Sequence, residues 1–283
     1  MNYLFIFNLL LLLLLSFAPS AGAVTYRALI FGLGEQEDAS WAKINGDNDV
    51  FYVKQLLMRM GYTDIVALKN RQATKAAMVK AFYELRNRCH KGDHVYIHYS
   101  GHGQLMTDLN GDEALKWQNS HAAWDEAWIP YDAYMTYGPN DHGEKHLCDD
   151  EVAHFLQAIR EKIGKHGELT VVIDACHSGD ATSGVDKECV RGVDMKFNIP
   201  RQLNQEQGVL VEEQWRTVSA CKAYQLCSEM KEPKVGKLTF ALYRMGTEAL
   251  KANNAELERR LNLFMDQYQG RIKQTPIVSG KKK

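Results

Sequence analysis

The 283-residue chain has almost no net charge: 34 lysines and arginines stand against 35 aspartates and glutamates. That balance removes the electrostatic reason to expect nucleic acid or an anionic membrane surface as a partner, since both are held chiefly by clustered positive charge. Internal repeats and, beyond the first residues, low-complexity tracts are also missing, which sets aside solenoid and linker-like architectures. The six cysteines, Cys89, Cys148, Cys176, Cys189, Cys221 and Cys227, have no regular spacing. A chain of this length buries a core without covalent staples, so a disulfide framework is the weaker expectation even though three bridges are open to it.

The long apolar run lies at the start. Leu4 to Phe17 carries no charge and Leu9 to Leu15 is leucine throughout; Pro19 then breaks any helix, and Ala21-Gly22-Ala23 offers small residues. Residues 1–23 therefore read as a secretory signal cleaved after Ala23, with export to the periplasm or the outside. Met1-Asn2-Tyr3 supplies only the α-amino group as positive charge, which keeps an uncleaved anchor open as the alternative. The run is short for a span of about 20 residues. No cysteine follows the cut, which argues against a lipid anchor, and no other segment is expected to touch a membrane.

Residues 24–283 alternate strand and helix signals. Tyr26 to Phe31 reads as a buried strand ended by Gly32, and Asn45 to Met60 places Val50, Val53, Leu56, Leu57 and Met60 at helical spacing. Asp64 to Lys69 is a second strand, Thr74 caps a helix running to about Cys89, and Asp93 to Tyr99 is a third strand. Asp149 to Ile163 is helical up to Gly164, and Leu169 to Asp174 is a short apolar run typical of a central parallel strand. Trp215 to Cys221, Leu238 to Leu250 and Ala255 to Gln269 add a strand and two helices before a polar tail. The order predicts an α/β fold, a doubly wound and mainly parallel sheet with helices on both faces. Gly103 to Leu147 and Gly179 to about Val211 are long and irregular; both leave the carboxyl ends of strands, where such sheets carry their chemistry.

Those ends hold a cysteine and a histidine. The third strand finishes in His98-Tyr99-Ser100-Gly101-His102-Gly103 and the fourth in Asp174-Ala175-Cys176-His177-Ser178-Gly179. If the strands are neighbours, His102 can take the thiol proton of Cys176 and later deliver one to a leaving amine. The flanking glycines let the backbone N–H groups of Gly103 and Cys176 approach an oxyanion. Asp174 lies two residues before Cys176 and so faces the same side of the strand, where a carboxylate favours a cationic side chain in the first pocket. His90, His94, His98 and His102 recur every four residues, but Val95-Tyr96-Ile97 is strand-like, so a helical zinc site is not expected; His98 and His177 read as structural.

The two strand-end motifs resemble the catalytic pair of the caspase-like cysteine peptidases, and of the metacaspases above all. Gly46-Asp47-Asn48-Asp49-Val50, Asp125-Glu126-Ala127-Trp128-Ile129-Pro130-Tyr131-Asp132, Val218-Ser219-Ala220-Cys221 followed by Glu229, and Gly236-Lys237-Leu238-Thr239 fit the same resemblance, which runs from about Tyr26 to Leu250. It implies one caspase-like peptidase domain over 24–283: a large-subunit-like part at 24–180, a linker at 181–211 and a small-subunit-like part at 212–283. It further implies a protein or peptide substrate cut after Arg or Lys, with Asp49 and Ser100 lining the pocket beside Asp174. Oligomeric state stays open.

The resemblance requires no redox or organic cofactor, but it allows calcium stimulation. Asp125, Asp149 and Asp150 match three of the metal-binding positions, whereas the fourth is Ser183. Asp108-Leu109-Asn110-Gly111-Asp112-Glu113 is a second oxygen-rich candidate, and Asp180 or Asp186 could substitute for the missing ligand. Lys187, Arg191, Lys196 and Arg201 make the linker a target for self-processing by an enzyme that cuts after basic residues. The alternative function is a catalytically silent caspase-like module used for binding or regulation.

Overall fold

The computed structural model describes residues 23–113, 124–176, 190–200, 212–222, 225–268 and 272–281. The signal segment up to residue 22 lies outside them, as do His177, Ser178, Gly179, Asp180, Ser183, Asp186, Lys187, Cys189 and Arg201.

In chain order the elements are β1 (Tyr26–Gly32), α1 (Gly46–Arg59), β2 (Asp64–Lys69), α2 (Lys75–Arg88), β3 (His94–Ser100), β4 (Gly103–Thr107), β5 (Trp124–Trp128), β6 (Leu147–Cys148), α3 (Asp149–Ile163) and β7 (Glu168–Asp174). There follow β8 (Arg216–Ser219), β9 (Glu229–Met230), β10 (Val235–Gly236), α4 (Lys237–Met245), α5 (Thr247–Lys251), α6 (Asn254–Gln267) and β11 (Ile277–Gly280). Six strands form the main sheet in the order β11-β8-β7-β3-β1-β2. All neighbours are parallel except β11, which runs antiparallel to β8 at one edge.

The period of two sorts the strand residues between two cores. Ala28, Ile30, Tyr96, Val172 and Val218 pack with Val50, Val53, Leu56 and Leu57 of α1 and with α4 to α6. Leu29, Phe31, Val95, Ile97, Tyr99 and Val171 face the other way, onto Met78, Phe82 and Leu85 of α2 and Phe155, Leu156 and Ile159 of α3. The parallel α/β sheet with helices on both faces is the one expected, and Thr74 caps α2 by accepting from the Ala77 amide.

Three differences have local causes. The stretch after Gly103 contains a small antiparallel sheet, β4-β5-β6, whose strands of five, five and two residues are too short and mixed to show a clear period. The helix expected over Leu238 to Leu250 is broken at Gly246, whose φ of 72° no right-handed helix accommodates. The polar tail hides β11, which borrows its order from the edge of β8. One disulfide, Cys221–Cys227, is present among the described residues, while Cys89, Cys148 and Cys176 are free.

Phe82 is 1% exposed and stacks on Phe155 with ring centres 5.0 Å apart. Phe82→Ala should cost about 3–5 kcal/mol, measured by urea unfolding of chains that also carry Cys176→Ala.

Candidate active site

Pairing of β3 with β7 sets Ser100 opposite Asp174. His102 and Cys176 each follow two residues later, so the parallel register delivers both to the same edge of the sheet. The loop of His102 is pinned from below by Tyr99, whose hydroxyl donates to the His102 carbonyl at 2.6 Å and accepts from the Ile129 amide at 2.8 Å. The imidazole itself is buried, with its ring 5.1 Å from that of Trp41. Its Nε2 lies 2.7 Å from the Ala42 carbonyl oxygen. A carbonyl can only accept, so Nε2 carries the hydrogen and Nδ1 of the neutral ring keeps its lone pair. That Nδ1 has no hydrogen-bond partner among the described residues. It is a base held ready.

The chain's own segment 190–192 lies across this edge. The Arg191 carbonyl accepts from the Cys176 amide at 2.9 Å and from the Gly103 amide at 3.3 Å, the two N–H groups expected to cradle an oxyanion. The Arg191 amide donates to the Cys227 carbonyl at 3.0 Å, and Val190 bridges Ser228 in antiparallel fashion. Gly192 is pressed against Cys176: a Cβ there would sit 2.5 Å from Cys176 Sγ, which no side chain tolerates. Val190 and Gly192, one bridging Ser228 and the other Gly103, thus tie the segment to both walls of the site.

The Arg191 side chain fills the pocket behind. Nη1 and Nη2 donate to the two Asp49 oxygens at 2.7 and 3.0 Å, and Nε and Nη2 donate to Glu229 at 3.1 and 3.0 Å. Asp174 contributes its backbone carbonyl at 3.1 Å, whereas its carboxylate approaches only to 3.5 Å. Asp49 therefore holds the guanidinium through both carboxylate oxygens and Glu229 through Oε1 alone, while Asp174, expected to be the leading pocket carboxylate, stands further off. The Asp174 carboxylate is instead held by the amide and hydroxyl of Thr239, both at 2.8 Å. Ser100 donates to Asp49 at 2.7 Å and meets the guanidinium through that carboxylate. Gly236 closes the pocket; a Cβ on it would stand 2.2 Å from Asp174 Oδ2 and 2.6 Å from Arg191 Nη1.

Burial sets the charges. It pushes the Cys176 thiol up to about 12 and pulls His102 down to about 4, although the Ala42 contact works the other way on the ring. With the pocket filled, the pair rests as neutral thiol and neutral imidazole. Burial alone would raise Asp49, but the charge and hydrogen bonds of Arg191 hold it below the usual carboxylate range. Asp174 is raised by burial to about 6, against the pull of Arg191. His98, buried between Tyr96, Ser100 and Thr239, is also lowered by burial to about 4 and is a neutral brace, as its strand position suggested.

A family profile described as metacaspase, peptidase C14 domain, matches residues 27–184, more than half of the chain. The chain belongs to the metacaspase family. Similar curated proteins include metacaspase-1 of Eremothecium gossypii, 32% identical over 180 residues that make up 57% of this chain and 35% of that protein. Metacaspase-1A of Aspergillus clavatus is 32% identical over 126 residues, 41% of this chain and 25% of that protein. The match thus spans about a third or less of these relatives. In shape, a protein of Geobacter sulfurreducens superposes with a TM-score of 0.61 at 21% identity, covering 91% of this chain and 94% of that one. Caspase-1 from Spodoptera frugiperda gives 0.57 at 11% identity, covering 91% and 86%. At such identities the likeness shows the fold, here caspase-like.

In this metacaspase domain the residues matched to a metal fit a hard cation. Carboxylate oxygens of Glu113, Asp125 and Asp149 lie within 4.8 Å of one another, and Asp125 Oδ1 is buried with no hydrogen-bond partner among the described residues. Asp150, the third residue expected there, is not in that group, where Glu113 stands instead; its carboxylate accepts from Asn110. Sequence reasoning missed Ala42, which lies in no motif. It also missed the pocket roles of Glu229 and Thr239, which stood inside quoted motifs without a partner to identify them.

Two outcomes follow in chains carrying Cys176→Ala. Gly236→Ala should expel Arg191 and open the 191–192 bond to trypsin, which leaves it intact in the parent; equal resistance would contradict the packing described. Because the folded pKa of His102 is depressed, its contribution to stability is present above about pH 6.5 and lost as pH falls toward 4. The stability gap between the parent and His102→Gln should therefore narrow across that window, by at most about 1.4 kcal/mol per pH unit, in thermal melts.

Proposed function

We propose that the chain is an exported cysteine endopeptidase that cuts after arginine or lysine, and that Arg191–Gly192 is its own first substrate bond. The observation that carries this reading is the placement of Arg191: its guanidinium sits among Asp49, Glu229 and Asp174 while its carbonyl accepts from the Gly103 and Cys176 amides. The carbonyl of a residue before a scissile bond belongs at those donors, and the residue after the bond belongs against the nucleophile, where Gly192 is. The leader of apolar residues 4–17 supports export.

The chemistry follows from the groups present. Cys176 Sγ attacks the Arg191 carbonyl carbon as His102 Nδ1 takes its proton. Because thiol and imidazole rest neutral, thiolate forms with the attack and not before it. The two amides receive the developing oxyanion; removing one such donor typically costs about 10²–10³ in rate. Collapse breaks the C–N bond, His102 protonates the departing Gly192 amine, and a thioester joins Cys176 to Arg191. Water then attacks the thioester, giving its proton to His102; the acid is released and the thiol is reprotonated. A calcium ion at Asp125 and Asp149 would neutralise crowded carboxylates there, and no bond-breaking step runs through it.

The filled pocket also makes the uncut chain a poor enzyme on other substrates, since Arg191 must leave first. Intact-mass analysis tests this directly. Wild type should split after Arg191, Cys176→Ala should stay whole, and Arg191→Lys should still be cut at 191–192. Once cut, wild type should hydrolyse Arg-ending fluorogenic peptides at least 100-fold faster than Asp-ending ones, and Asp49→Asn should lose most of that preference. Intact wild type with no hydrolysis of either peptide would favour the silent module; cleavage after aspartate would reject the basic pocket.

A further inference from the structure

In the small sheet β4 is an edge strand, paired with β5 on one side only. The chain beyond Gly192 runs along its other side. The Phe197 amide donates to the Leu105 carbonyl at 2.8 Å, and the Thr107 amide donates to the Phe197 carbonyl at 3.0 Å. On either side of Phe197, the Met195 carbonyl accepts from Gln104 Nε2 at 2.7 Å and the Ile199 amide donates to Thr107 Oγ1 at 2.8 Å. Alternate residues thus turn their backbone groups to β4, as a peptide laid on a sheet edge does. Gln104 is fully buried and aimed by two further bonds: Nε2 also donates to the Met135 carbonyl, and Oε1 accepts from His146 Nε2, both at 3.0 Å.

One side chain of this segment is enclosed. Phe197 is 0% exposed, in a pocket walled by Trp41, Met106, Ala127, Ile129 and Ala133, with the His146 ring centre 4.2 Å away. Its neighbours Lys196 and Asn198 stay exposed. Aromatic side chains bury roughly 150–250 Å² each and gain further from contact with other rings. This foothold is separate from the one at Cys176. Gly192 lies opposite Gly103 and Phe197 opposite Met106, so five steps along the segment match only three along β4, and the residues between bow outward. Trp41 is common to both footholds, since its other neighbour is the His102 ring.

We propose that this edge of β4 is a docking groove for the peptide on the leaving side of the cut bond, with a pocket that takes an aromatic side chain six residues beyond the arginine. Phe197 is its occupant in the uncut chain. The groove has this role only if Arg191–Gly192 is the bond cut, the reading proposed above, and it then narrows the substrate class to a basic residue followed at that distance by an aromatic one.

The test uses the full chain with Cys176→Ala and Phe197→Ala, which cannot cut itself and has lost its own anchor. A fluorescent peptide of sequence 192–200 should bind it saturably by anisotropy, and the same peptide with alanine in place of its phenylalanine should bind at least tenfold weaker. Cys176→Ala alone should also bind the phenylalanine peptide at least tenfold weaker, because its tethered segment competes at high effective concentration. Phe197→Leu, which keeps the pocket apolar, repeats the comparison if circular dichroism shows Phe197→Ala unfolded. Equal binding of the two peptides, equal binding by the chain that keeps Phe197, or no binding at millimolar peptide would overturn the groove. A second arm gives Phe197→Ala with Cys176 intact two quenched peptides of sequence 190–200, both carrying Lys196→Gln so that one basic residue remains. KM should be at least tenfold lower for the phenylalanine peptide, with kcat little changed. Peptides that bind differently yet are both left whole would reject the peptidase reading and keep the groove. Peptides cut with the same KM would do the reverse.

Discussion

One guanidinium organises this molecule. Arg191 is fully buried with Asp49, Asp174 and Glu229 around it, and it stays charged because the three carboxylates outweigh the burial that would neutralise it. Buried ion pairs of this kind contribute less than their contacts suggest, because all partners have left water. Their significance is conditional: removing the cation leaves buried negative charge on α1, β7 and β9 at once. The three carboxylates therefore favour a cation in the pocket, and Arg191 supplies it. The specificity for a basic side chain proposed above and the occupation of the pocket by the chain's own linker would have the same electrostatic cause.

The backbone around that guanidinium is held as closely as its side chain. Two amides at the ends of neighbouring parallel strands point at one carbonyl oxygen, and the flanking residues pair with the 227–228 segment as a strand would. Two side chains of Cys and His in a dry cleft would otherwise be inert, since burial drives both to their neutral forms. Preorganised donors are what such a cleft adds, because they need no rearrangement as charge develops.

The sheet and the acidic cluster stand at opposite ends of β4. Gly103 at its start holds the Arg191 carbonyl, and Asp108 follows directly after its last residue, Thr107. The chain beyond Gly192 also pairs with this strand, through Phe197 with Leu105 and Thr107. A single short strand thus touches the oxyanion donors, the carboxylates and the linker.

The sequence alone determined the parallel α/β scaffold, because hydrophobic period and glycine stops are local signals: β1, β2, β3, β7, α1, α2 and α3 could all be read within a residue or two. It likewise pointed to His102 and Cys176 and to the amides of Gly103 and Cys176, which lie in short glycine-flanked motifs at strand ends. Tertiary structure decided what distance along the chain conceals. Only folding sets Glu229 and Asp49 on one guanidinium 38 and 142 residues away in sequence. Only folding singles out Arg191 from the linker's basic residues, seats Ala42 on the histidine, and merges two acidic stretches around Asp125. Strand and helix propensities are fixed by neighbours in the chain, whereas charge satisfaction is fixed by neighbours in space.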